Sequence, residues 1–136
     1  MGRKMVETAG RKTGDEMKPK TAGSKRYYIL SAVLAVSCLA LTAYVWRSPW
    51  LLFLFLLVNG GVLVVMGKNM RRDIALFVFS ALFGAAAESF VIQLGGAWSY
   101  PDPQLFGIPI WLPLVWGTAG VFLVRASGFI GERLAV

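Results

Sequence analysis

Four apolar runs, at residues 27–46, 50–66, 74–94 and 108–124, divide most of this chain between them, with only short polar breaks in between. As helices rising 1.5 Å per residue, such runs are each roughly 25–32 Å long, close to the thickness of a bilayer's hydrocarbon core. A helix satisfies its own backbone polar groups, which hydrocarbon requires of any spanning segment. The expected fold is therefore all-α: an integral membrane four-helix bundle over residues 27–136, with no internal repeat.

Apart from Glu88, charge is confined to the breaks and the ends. Hydrophobic residues make up 57% of the chain and charged residues 15%, whereas about a quarter of a soluble domain is charged. Eight of the 14 basic residues precede Tyr27. Residues 1–26 are rich in Lys, Arg, Gly and Thr and lack aromatics. A segment of this kind buries too little surface to offset its ordering entropy, so a disordered basic tail is expected there. Val6 breaks the myristoylation pattern, and the stretch is too long and too charged for a cleaved signal peptide. The net charge of +7 does not indicate nucleic acid, because the basic residues flank spans and no recognition module accompanies them.

The same charges predict orientation. Besides the tail, Lys68, Arg71 and Arg72 lie in the second break, and Arg125 and Arg133 lie near the C-terminus. Only Arg47 falls in the remaining breaks, beside Asp102. Thirteen basic residues against one put both termini in the cytoplasm of a multi-pass protein of the cell (inner or plasma) membrane. Trp46, Trp50, Trp98, Tyr100 and Trp111 then gather at the outer interface as an aromatic belt.

Within the spans, Ser31, Ser37 and Thr42 can bond back to helix carbonyls. Pro49 suits a first helical turn. Asn59-Gly60-Gly61 is expected to let helices approach closely, with Asn59 as an interhelical hydrogen-bonding group or a site-lining one. Asp73 is expected to cap the third helix. Ala81, Gly84, Ala85, Glu88 and Ile92 share one face of that helix, and this small-residue face should turn Glu88 into a helix interface. Pro113 falls in the first turns of the fourth span, Gly117 and Gly120 offer it a close-packing surface, and Arg125 is expected to snorkel to the aqueous boundary. Cys38 reads as a small packing residue; as the single cysteine it allows no internal disulfide. With no histidine in the chain, His triads and His-ligated metals are excluded. No metal site and no cofactor are expected.

The stretch ESFVIQLGGAWSYPDPQLFGIPIWLPLVW, residues 88–116, concentrates what chemistry there is. Glu88 is the one acid placed inside an apolar run, about two turns below the end of its helix. Acids at such positions usually face a bundle interior and mark a functional path. Desolvation would favour its protonated form, a workable general acid. The structural alternative is a hydrogen bond to Asn59, Ser89, Gln93 or a loop N–H. Trp98, Tyr100 and Trp111 serve either as interface anchors or as the lining of a pocket for a flat apolar ligand. Asp102, between two prolines, reads as a solvated turn residue.

Glu88, then Gly95-Gly96-Ala97-Trp98-Ser99-Tyr100, then Phe106-Gly107-Ile108-Pro109-Ile110-Trp111 and Trp116, resembles a pattern in membrane carotenoid-biosynthesis proteins: the carotenoid hydratase and the small membrane lycopene cyclases. The resemblance covers about 30 of the 136 residues. Where the cyclases carry Pro-Glu-Glu, this chain has Ile110-Trp111 after Ile108-Pro109. Only Glu88, Trp98 and Tyr100 carry over. The resemblance implies protonation of an isoprenoid double bond by Glu88, with the aromatics stabilising the cation. The implied partners are the bilayer and an isoprenoid- or carotenoid-like apolar ligand, and homo- or hetero-oligomers are compatible with it. Two other readings stand beside this one. Four short spans with one membrane acid resemble, in outline, the small multidrug transporters, which implies proton-coupled transport. Glycine faces at Gly84, Gly117 and Gly120 also suit a non-catalytic accessory subunit.

Overall fold

The computed structural model describes residues 21–135, with side chains from Lys25 onward; of the expected tail, residues 1–20 lie outside it. The chain forms four helices: α1 (Thr21–Val45), α2 (Pro49–Val65), α3 (Met70–Gly95) and α4 (Leu112–Leu134). No strand occurs among the described residues. Lys25–Val45, α3 and α4 are long and apolar enough to cross a membrane; α2 is as apolar but shorter, with 17 residues.

The breaks behave as their residues require. Val45 accepts from Ser48 N at 2.9 Å, and Pro49 then opens α2, where its missing N–H needs no partner. Ser31, Ser37 and Thr42 donate back to the carbonyls of Tyr27, Leu34 and Cys38 at 2.8–2.9 Å, as expected of hydroxyls in an apolar helix. Gly96, at φ +57, closes α3 in the left-handed conformation that glycine adopts at no steric cost.

Three boundaries differ from the expectation. First, α1 starts at Thr21, inside the stretch assigned to the tail, because Ala, Lys and Arg propagate a helix beyond its apolar part. Second, α3 starts at Met70. Its cap is Asn69, whose side chain accepts from Arg72 N, and not Asp73, which is wholly buried one turn into the helix. Third, α4 starts at Leu112, not at residue 108. Pro109 disfavours helical backbone at Ile108, and Ile108 instead closes a tight turn with Leu105 through a mutual pair of backbone hydrogen bonds. Phe106 (φ +44) and Gly107 (φ +84) form the tip of that turn.

The helices alternate in direction, and α4 packs against all three others. Its closest neighbour is α3, where the small residues lie. Ala81, Gly84 and Ala85 are buried. A side chain at Gly84 or Gly120 would run into Trp116 or Ser80 respectively. The Phe77 ring fills a slot between Gly60 and Gly117, where an added Cβ would lie 2.7 Å from it. Gly61 borders nothing within 4 Å. The core that follows includes Cys38, Leu52, Leu56, Ala85, Ile108, Trp111, Leu112 and Leu114.

At the opposite end of the bundle from Trp111, one side chain joins all four helices. Arg125 of α4 donates to Ser31 Oγ of α1 at 2.9 Å, to the Leu63 carbonyl of α2 at 2.7 Å and to Asp73 Oδ2 of α3 at 2.7 Å. It is 3% exposed, so it does not snorkel. The reason is local: a carboxylate, a hydroxyl and a carbonyl already converge on it inside the bundle. Tyr27 lies over its guanidinium at 4.8 Å, and Arg72 reaches the second Asp73 oxygen at 3.2 Å.

Candidate functional site

The corner between the end of α3, the 96–111 loop and the start of α4 is built on two anchors. On one flank of α3, Ser89 Oγ and Gln93 Nε2 both donate to the Phe106 carbonyl, at 2.6 and 2.8 Å. These bonds tie the Phe106–Gly107 turn to the helix. Within the loop, Gln104 accepts from Ile110 N at 3.1 Å and donates to the Asp102 carbonyl at 2.6 Å. A loop fixed at this many points holds Tyr100 in place.

On the next flank is Glu88, half-buried. The Tyr100 hydroxyl donates to Oε1, and the Trp116 indole N–H donates to Oε2 at 2.9 Å. The indole rests on Gly84, one turn before Glu88, where any Cβ would displace it. Glycine at 84 therefore places the donor, and Trp116 in turn fixes the carboxylate. Asn59, Ser89 and Gln93, the partners considered from sequence, do not reach Glu88. Ser89 is turned about 100° away on the helix, and Asn59 donates to Ser37 Oγ between α1 and α2 at 2.6 Å.

Tyr100 also meets the edge of Trp111, with ring centroids 6.1 Å apart. Burial pushes the Tyr100 hydroxyl well above its ordinary value, and the neighbouring Glu88 adds to the rise, while the nearby Trp98 works the other way. Tyr100 thus remains a neutral donor throughout the physiological range.

Glu88 opens onto a groove of about 570 Å³ between α3 and α4, walled by Phe79, Phe83, Val91, Trp98, Trp116 and Leu123. This volume lies within the range of small-molecule sites. Phe79 and Phe83 stack with centroids 5.7 Å apart. From Phe79 to Val91 the groove runs for twelve residues of helix, roughly 18 Å.

Of the residues singled out from sequence, Glu88, Trp98 and Tyr100 come together here. Trp111 supports them from the core, 6% exposed, and does not line the groove. Asn59 belongs to a different interface. Trp116 is the participant whose role was not foreseen: it lies 28 residues from Glu88, and no spacing rule links the two. No group of His, Cys, Asp and Glu suited to a metal ion occurs among the described residues. No protein family, curated protein or solved structure matches the chain.

Proposed function

We propose that the chain is a four-span integral membrane protein, with both termini cytoplasmic, that binds an elongated, isoprenoid-like apolar ligand in the groove between α3 and α4. The bilayer reading rests on the outer surface. Phe79, Leu82, Phe83, Phe90 and Leu94 of α3 are each more than three-fifths exposed, a density of apolar surface that water-soluble monomers rarely present. At 17 residues α2 reaches about 26 Å, enough to cross with Trp50 in its first turn and Met66 at its C-cap meeting the two interfaces.

The observation that carries the ligand reading is the groove's composition. Its walls are aromatic and aliphatic, and Glu88 is its one charged residue. Such a site takes up a ligand laterally from the hydrocarbon and orients it with one polar group. Both oxygens of Glu88 accept a hydrogen bond from a protein donor. That arrangement supports a role in holding the ligand over one in protonating an isoprenoid double bond.

The test is the lipid that co-purifies in mild detergent. Ala87 and Ala119 line the groove, and Ala87→Phe or Ala119→Phe would fill it while leaving Glu88 and its donors in place. Mass spectrometry of extracted lipids should show an isoprenoid-like species enriched with the wild type and depleted in both variants. An unchanged lipid profile in the filled variants would refute ligand binding at this groove.

A further inference from the structure

The two buried or half-buried acids of the bundle are treated differently. Asp73 has two guanidinium partners, Arg125 and Arg72. Glu88 has two hydrogen-bond donors, both neutral, and among the described residues no basic side chain lies within ion-pair distance of it. Hydrogen bonds satisfy the lone pairs of a carboxylate but leave its net charge uncompensated, and an uncompensated charge in apolar surroundings is costly. Each Glu88 oxygen accepts one bond and retains capacity for a second. Trp98 and Trp116 line the groove beside it, and aromatic rings of this kind attract cations.

From these features we infer that the groove's ligand is an amphipathic cation. Its ammonium- or guanidinium-type head sits against Glu88 between Trp98 and Trp116, and its apolar tail lies along Phe83, Phe79 and Leu123. This rests on the reading of the groove as a lipid-accessible site and names the head group that site selects. The ligand supplies the counter-charge that Arg125 supplies to Asp73. A second groove on the other flank of α3, of about 580 Å³ and lined by Leu82, Phe90, Leu94 and Phe106 among others, contains no charged residue. It should accept apolar chains without regard to head-group charge.

Two photoactivatable probes separate these claims: a sixteen-carbon chain bearing a diazirine and a trimethylammonium head, and the same chain with a hydroxyl head. The full-length protein in phosphatidylglycerol nanodiscs, whose lipids carry no ammonium group, is irradiated with each, and adducts are mapped by mass spectrometry. The cationic probe should label the α3–α4 groove at Phe83, Val91 or Leu123 in preference to the second groove. That preference should fall about tenfold or more in Glu88→Gln, as expected for loss of the charge attraction between the carboxylate and the quaternary head, and should recover in Glu88→Asp. The hydroxyl probe should label both grooves and be indifferent to Glu88→Gln. If both probes label the α3–α4 groove equally and neither responds to Glu88→Gln, the groove binds lipid but the cation inference is wrong. If neither probe labels it above Val33 and Val36 on the exposed side of α1, the groove reading itself is wrong. Cooperative thermal unfolding of each variant in detergent ensures that a lost adduct does not report a lost fold.

Discussion

Arg125 and Asp73 form an ion pair 2.7 Å long whose side chains are 1% and 0% exposed. Arg125 extends the pair to Ser31 and the Leu63 carbonyl, so each helix contributes to one polar knot. A buried pair of this kind is weak evidence of net stabilisation, yet removing one partner strands the other. Arg125→Met or Asp73→Leu should each cost about 3–5 kcal/mol, read as a lowered denaturation midpoint in mild detergent. The double substitution should cost much less than the two single costs added together, because no charge is left unpaired. Strict additivity would show that the pair is not coupled.

Gly67 and Gly61 should respond in opposite ways to the same substitution. A Cβ at Gly67 would overlap Asp73 Oδ2 and come within 2.9 Å of the Val64 carbonyl and 2.8 Å of Arg125 Nη2. Neither Asp73 nor Arg125 can move without loosening the knot. Gly67→Ala should therefore destabilise by about 1–3 kcal/mol. Gly61 is inside α2 with nothing within 4 Å, and Gly61→Ala should be neutral or stabilise by up to about 1 kcal/mol through helix propensity alone. Thermal unfolding of both variants side by side checks the sign of each effect.

The helices were legible because an apolar run of some twenty residues leaves the backbone few alternatives. Their ends were less so. Asn69 and Asp73 are both capping residue types one turn apart, and burial of Asp73 by a partner 52 residues away decides between them. Arg125 follows an apolar run, as a snorkelling residue would; that it turns inward depends on a carboxylate, a hydroxyl and a carbonyl on three other helices. At the candidate site, Glu88, Trp98 and Tyr100 were readable because chain proximity brings them together. The Trp116 bond depends on the close packing that Gly84 permits between α3 and α4, and Asn59 points to Ser37 because α1 and α2 meet there.

Tyr100 gives the bundle a specific alkaline sensitivity. Its hydroxyl is held above the ordinary value of 10.0 by burial first and by Glu88 second. A group whose folded-state value is raised contributes stability that is complete below its unfolded-state value and lost as pH rises through the folded one. The wild type should therefore lose stability above about pH 10 more steeply than Tyr100→Phe, which has no proton to lose there. Between pH 7 and 9 the two proteins should show parallel curves, with the variant lower because Glu88 has lost a donor. Melting temperatures from pH 7 to 12 check this; identical slopes above pH 10 would contradict it.

The proposed orientation rests on a charge bias of thirteen basic residues to one, and among the described residues the start of α1, the α2–α3 break and the end of α4 lie at one end of the bundle. The Arg125–Asp73 knot, Tyr27 and Lys68, which lies over the Tyr27 ring at 5.1 Å, share one end of the bundle. Tyr100, Trp111 and the exposed Phe106 turn share the other. Single cysteines at Ser24 and Ser99, in a Cys38→Ala background, report on the two ends separately. Ser99 is exposed on the loop, so its cysteine should react with an impermeant thiol reagent on intact cells. A cysteine at position 24 should react only after the membrane is permeabilised. Labelling of position 24 and not 99 on intact cells would invert the topology. It would also place the Glu88 groove at the cytoplasmic end, where a ligand would arrive from the inner leaflet and not the outer one.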